Sequence, residues 1–220
     1  MIFNKTNFRI YSLAEKEARY YLNGIHVTPD YTEVTNGHYL IRVDAPYKGK
    51  RKEALKDCPI VNKQAPVTRE CEFVIPTEAA REIEKNIPKE RGLTQLNNAW
   101  VVEDKEETAT FLTTDLQTTK PVTFCKIGEK FPNTNAVIDN VSKKAPITIG
   151  FNTEYMMKIC QQYKKADIKC VSLSLFGLTK AMKLEGTSLN HDQTITTILM
   201  PMKTGNDKDT WNVKEKNNEK

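Results

Sequence analysis

The sequence predicts an α+β fold in which helices lie on one side of antiparallel sheets. Three observations predict it. Short runs alternate apolar and polar residues with the period of a strand, and three longer runs carry apolar residues at helical spacing. The order strand, helix, strands then recurs about three times along the chain, the first time with a poor opening strand.

Residues 5–18 place Phe8, Tyr11, Ala14 and Ala18 three and four apart, which predicts a helix with one apolar face. A strand follows over residues 19–27, with Tyr21, Ile25 and Val27 on one face, and Pro29-Asp30 turns the chain. Residues 32–43 contain Asn36-Gly37, the pair suited to a type I′ hairpin because both tolerate positive φ. Pro46, Pro59 and Pro66, with Lys48, Lys50, Arg51, Lys52 and Lys56, make residues 44–70 a long basic surface loop with a helical turn at 52–56.

The second unit opens with a strand over residues 71–75, stopped by Pro76, and Thr77 is the expected N-cap of a helix. Ala79, Ala80, Ile83 and Ile87 form its apolar stripe, and Pro88 ends it. Strands are expected near residues 100–103, 108–113 and 122–127, and residues 131–135 read as a polar connector. The third unit opens with alternation over residues 147–151. A helix capped by Asn152 or Thr153 follows, with Tyr155, Met156, Ile159, Cys160 and Tyr163 on one face. Strands then run near residues 169–175, 181–185 and 194–200. Residues 204–220 carry four positive and four negative charges with almost no core formers, and are expected to be a disordered tail.

The composition bounds the function. Net charge is 33 minus 28, or +5, which permits a nucleic-acid partner without demanding one. Cys58, Cys71, Cys125, Cys160 and Cys170 form no CxxC pair and are odd in number, so buried thiols fit better than a disulfide framework or a zinc ribbon. No apolar run approaches the roughly 20 residues that span a bilayer. The opening Met-Ile-Phe-Asn-Lys-Thr lacks the apolar core of a signal peptide, so a cytoplasmic protein is expected. No Walker motif, triad, metal-ligand spacing or paired-acid motif points to an enzyme. His26, His38 and His191 stand isolated in sequence, and no cofactor or metal is expected.

Five segments, in order, resemble the bacterial DNA polymerase III beta subunit, the ring-shaped sliding clamp. Arg19-Tyr20-Tyr21-Leu22-Asn23-Gly24 resembles the opening strand of the clamp's middle domain. Val34-Thr35-Asn36-Gly37-His38-Tyr39-Leu40 resembles its Ala-Thr-Asp-Gly-His-Arg-Leu turn. Phe131-Pro132, followed by Val137, resembles the Phe-Pro-Asp-Tyr connector, and Ile149-Gly150-Phe151-Asn152 the start of the last half-domain. Leu199-Met200-Pro201-Met202-Lys203 resembles the terminal Val-Met-Pro-Met-Arg. The likeness covers about residues 19 to 203 and divides the chain into a clamp-like domain over 1–130, a partial one over 131–203 and the tail. It departs from the family at Asn36 and Tyr39, where the family has Asp and Arg, in the longer basic loop 44–70, and in lacking the first domain and half of the last. A shortened member of this kind is one a phage or mobile element could encode.

The resemblance implies a non-enzymatic processivity factor that tethers a polymerase or another replication protein to duplex DNA. It implies a peptide pocket of Leu22, Thr35, Gly37, His38, Tyr39, Leu40, Pro132, Val137, Ile198, Leu199, Met200, Pro201 and Met202, in which a Met-rich groove takes apolar anchors. It implies sequence-independent phosphate contacts, with Arg81, Lys85, Lys158, Lys164 and Lys165 as candidates. A clamp loader and homo-oligomerisation are implied as well, four three-module copies sufficing for a ring of twelve modules. The alternative is a clamp-fold module or decoy that binds peptides without encircling DNA, which Glu78, Glu82 and Glu84 on the second helix favour.

Overall fold

The structure is a computed structural model that describes residues 1–14, 22–47, 50–88, 94–142, 149–177, 180–188 and 193–202. The chain divides into two compact units, Met1–Thr134 and the residues from Asn135 onward.

Unit 1 contains two modules of one plan. In the first, β1 (Ile2–Asn4) leads into α1 (Lys5–Arg9), and the meander β2 (Gly24–Val27), β3 (Tyr31–Thr35) and β4 (Leu40–Asp44) follows. Then α2 (Arg51–Lys56) crosses to the second module. There β5 (Phe73–Pro76) and α3 (Thr77–Asn86) precede the meander β6 (Asn98–Asp104), β7 (Thr108–Thr114) and β8 (Thr119–Cys125). The modules exchange opening strands. The sheets run β1-β6-β7-β8 and β4-β3-β2-β5, with Ile2 opposite Trp100 and Ile25 opposite Ile75.

Local chemistry sets the element ends. Asn4 caps α1, its Oδ1 accepting from Thr6 N and Asn7 N, while Asn7 Oδ1 accepts from Asn4 N, a reciprocal capping box. The expected long first helix is corrected: α1 stops at Arg9, a 3-10 turn spans Ile10–Leu13, and Ala14 is extended. The Asn36-Gly37 hairpin forms, but as a four-residue loop. Thr35 pairs with Leu40, and only Gly37 takes positive φ, at 91°, because Asn36 Oδ1 accepts from His38 N and Tyr39 N instead. Thr77 is the first helical residue of α3 and Pro76 its N-cap, so Thr77 does not cap.

Ala79, Ala80, Ile83 and Ile87 are buried as the stripe predicted, in a core with Phe3, Phe8, Ile25, Val27, Phe73 and Phe111. Each fully buried side chain of this size contributes roughly 1.5–3 kcal/mol. Loop 44–70 is more than surface. Ala54, Leu55 and Cys58 are buried, the last two packing with Ile2, Trp100 and Leu112.

Helix α4 (Thr134–Ser142) follows unit 1's last strands and was not expected. Unit 2 holds α5 (Thr153–Lys165) and the meander β9 (Ser172–Leu175), β10 (Met182–Ser188) and β11 (Gln193–Leu199), in sheet order β11-β10-β9. Asn152 caps α5, accepting from Tyr155 N at 3.1 Å. The α5 stripe is corrected. Tyr163 is buried and Met156 and Ile159 partly so, whereas Tyr155 and Cys160 are exposed. The Tyr163 hydroxyl donates to Leu184 O at 2.9 Å and fixes α5 to β10. Two cysteines, Cys58 and Cys71, are buried; Cys125, Cys160 and Cys170 are exposed, contrary to the expectation of buried thiols. Residues 15–21, His191 and residues 204–220 lie outside the described residues.

Candidate functional site

The implied pocket residues fall into two sets. In unit 1, Leu22 is buried with Val74, Ile127 and Phe131. Phe131 therefore anchors the segment read as a polar connector, and its neighbour Pro132 is exposed. Thr35 Oγ1 donates to Tyr39 O at 2.6 Å and accepts from Gly37 N at 3.2 Å, which shapes the hairpin loop. His38 and Gly37 are exposed on that loop, Tyr39 and Leu40 half-buried, and the Tyr39 hydroxyl donates to Leu13 O.

In unit 2, Leu199 is buried in the core while Ile198, Met200 and Met202 are exposed. Strand alternation places Leu199 on one face and these three on the other, a Met-rich apolar stripe in solvent. Pro201 is half-buried and Val137, on α4, is exposed. Met202 N donates to Gly150 O at 2.8 Å, which continues the strand past Leu199 and holds the stripe in line.

The candidate phosphate contacts are exposed. Arg81 and Lys85 lie one turn apart on α3, beside exposed Glu78 and Glu82, while Glu84 pairs with Arg9 at 3.3 Å. Lys158, Lys164 and Lys165 lie exposed on α5, the ammonium of Lys158 being 5.9 Å from the centre of the Tyr155 ring. Sequence spacing missed two lysines, Lys5 and Lys120, which line one cleft of about 210 Å³ with Lys85. Asp115 shares that cleft. Hydrogen bonds from the Thr118 backbone and side chain hold its carboxyl below the ordinary range. In the basic segment, Lys50, Lys52 and Lys56 are exposed, and Lys48 lies outside the described residues.

His26 is not isolated in space. Its Nδ1 is 2.8 Å from Glu33 Oε1 and its Nε2 3.0 Å from Glu72 Oε1, and its ring stacks on Phe131 at 4.5 Å. Glu33, fully buried, also accepts from Arg42 Nε at 2.9 Å and from Thr134 Oγ1 at 2.8 Å. Burial pushes the Glu33 carboxyl up. The hydrogen bonds from His26, Thr134 and Arg42 outweigh that and hold it below the ordinary carboxylate value. This cluster fastens Phe131 and Thr134, the last residues of unit 1, to β2–β4. No spacing rule links residues 26, 33, 42 and 134, so the sequence could not show it. Among the described residues no group of three or more His, Cys, Asp or Glu could hold a metal ion, and no helix is long and apolar enough to cross a membrane.

No protein-family model matches the chain, and no curated protein matches it by sequence. Three solved chains match the fold, two of them being DNA polymerase III beta subunits. One, described as a DNA polymerase III beta subunit from Eubacterium rectale, aligns with a TM-score of 0.62 at 10% identity, over 91% of this chain and 50% of that one. The other, DNA polymerase III subunit beta from Borrelia burgdorferi in complex with a natural product, aligns with a TM-score of 0.55 at 9% identity, over 91% and 47%. The chain spans about half the length of the structures it matches. The resemblance read from five short segments and the likeness of the whole fold agree. The chain has the α+β fold of the bacterial DNA polymerase III beta subunit, the sliding clamp, over about half the length of those structures.

Proposed function

We propose that this chain is a non-enzymatic, sliding-clamp-like processivity factor that tethers a polymerase or other replication protein to duplex DNA. The observation that carries the proposal is the repeated strand–helix–meander module, alike in fold to clamp structures over 91% of the chain. Exposed Lys158, Lys164 and Lys165 on α5, with Arg81 and Lys85 on α3, supply phosphate contacts without reading bases. The Ile198, Met200 and Met202 stripe in unit 2 and the loop at 35–40 in unit 1 are each proposed as peptide-contacting surfaces. Loading by an ATP-driven loader belongs to the same reading.

The test is retention on nicked circular against linear duplex, titrated with salt. Binding should be insensitive to sequence, with log K falling by roughly 0.9 per phosphate neutralised for each unit of log salt. Replacing Lys164 and Lys165 by Glu should weaken retention steeply. Failure of retention at low salt, even with a loader present, would sink the proposal.

A second reading has its own observation. Exposed Glu78 and Glu82 interrupt the basic character of α3, which suits a peptide-binding module or decoy that never encircles DNA. Tight binding of a clamp-binding peptide by a protein with no DNA retention selects this reading.

A further inference from the structure

Modules two and three close in the same way. Ile127 N donates to Val74 O at 3.1 Å in one, and Met202 N donates to Gly150 O at 2.8 Å in the other. Helix α3 begins at Thr77 and α5 at Thr153, so the acceptor of the closing bond and the helix start share one offset of 76 positions, from 74 to 150 and from 77 to 153. That offset makes Ile75 equivalent to Phe151, Ala79 to Tyr155 and Ile87 to Tyr163.

Burial then separates two kinds of position. Ile87 and Tyr163 are both buried. Ile75 and Ala79 are 0% and 8% exposed, whereas Phe151 and Tyr155 are 42% and 55% exposed. These positions are covered in unit 1, where two modules face each other, and bare in unit 2.

The sheet gives the same result. In unit 1 the first meander strand of each module is flanked on both edges, β2 by β3 and β5, and β6 by β7 and β1. Helix α3 of the second module also packs on β2 of the first. In unit 2 the corresponding strand, β9, pairs only with β10 among the described residues. Leu173 and Leu175 stand opposite the buried Leu184 and Met182, and so share their core face, yet they are 53% and 44% exposed. Ile25 and Val27 on β2 are 0% exposed. An open groove of about 580 Å³ between α5 and the start of β9 has an apolar floor of Tyr163, Ile168, Val171 and Leu184 and a rim that includes Lys164, Asp167 and Lys169. Strand β9 reads Ser-Leu-Ser-Leu, without the charge or proline that guards a solvent edge.

We propose that the lone module of unit 2 is completed by the same module of a second copy of this chain, across a two-fold axis. Each copy lays its α5 over the other's β9 and sets its residues 149–151 along the β9 edge that no other described strand occupies. The occupant is a second copy because the missing parts are an opening strand and a helix of this module type. Unit 2 presents the extended segment bridged at Gly150 and helix α5, as well as the gap for both, which is the self-complementarity an isologous contact needs. The proposal rests on the module plan and not on the tethering role, so DNA retention can fail while the dimer stands.

The experiment uses the full chain. Light scattering across about 1 to 100 µM should show concentration-dependent assembly to twice the 25.2 kDa chain mass or an even multiple of it. Leu175→Lys should raise the dissociation constant about 30-fold or more, since a charge would enter the contact. Its far-UV circular dichroism should be unchanged, because Leu175 is exposed in the single chain. In the wild-type protein, hydrogen exchange over residues 172–175 should be slow at high concentration and fast on dilution. A monomer at every concentration, an oligomer indifferent to Leu175→Lys, or β9 amides whose exchange ignores dilution would each overturn the proposal. The last of these would assign the edge to another segment of the same chain.

Discussion

Glu33 and Arg42, neighbours across the β3–β4 ladder, form an ion pair in which the carboxylate is fully buried and the guanidinium is 19% exposed, joined by Nε to Oε2 at 2.9 Å. Arg42 also donates from Nη2 to Thr134 Oγ1 at 2.8 Å and lies over the Tyr31 ring at 3.7 Å. The pair thus ties a hairpin to the end of unit 1, residues separated by about a hundred positions.

Glu33→Ala should destabilise unit 1 by about 3 kcal/mol, the low end for breaking a buried pair, because Arg42 retains partial access to water. Arg42→Met should cost less, since Glu33 keeps its bonds from His26 and Thr134. Urea unfolding followed by Trp100 fluorescence measures both. A Glu33→Ala midpoint equal to wild type would remove the cluster from the account of stability.

The same carboxylate sets an acid limit. Its pKa in the folded chain is below the ordinary 4.5. Its contribution is therefore complete above that ordinary value and disappears as pH falls through the folded one. Stability of unit 1 should be flat near pH 7 and decline below about pH 4.5, and Glu33→Gln should flatten the acid limb. Parallel acid limbs in the two proteins would show that other carboxylates control it.

Gly24 lies where β2 meets β5, and an added Cβ would sit 2.5 Å from Ile75 O and 2.8 Å from Val74 Cγ1. Gly24→Ala should therefore push the two modules' strands apart and cost about 1–3 kcal/mol. Gly37→Ala meets nothing within 4 Å, so its cost comes from positive φ alone and should be nearer 1 kcal/mol. Thermal unfolding of the two variants gives the ranking, and a larger loss for Gly37→Ala would refute it.

Met200→Asp and Ile198→Asp should leave stability within about 0.5 kcal/mol of wild type, as exposed positions do. Each should weaken binding of an apolar-anchored clamp-binding peptide about tenfold or more. Fluorescence anisotropy reads the affinity. Unchanged binding in both would shift the peptide surface away from the stripe.

Much of the local structure was legible. The meander strands alternate, and the α3 stripe repeats at three and four, because each sits half on a core and half in water. Elements with little periodicity escaped. Strand β1 is three residues long, and α4 has no clear apolar stripe within Asn135–Asp139 to set it apart from a connector. Thr77 has a capping side chain, but Pro76 already holds the extended backbone of the N-cap position, at ψ 146°, so the threonine is displaced into the first turn. Tyr155 and Cys160 fit a helical stripe and are nevertheless exposed, because a stripe reports a face that could be buried and not whether a partner covers it.

By itself the sequence determined the repeated module, its helices and meanders, and the five clamp-like segments, all properties of residues near one another in the chain. Only the tertiary structure decided that β1 joins the second module's sheet and β5 the first's, that Glu33 is buried among His26, Arg42 and Thr134, and that β9 pairs only with β10 among the described residues. The reason is physical. Periodicity encodes which face of an element is apolar, whereas strand exchange and charge burial depend on which distant edge or side chain arrives to satisfy it.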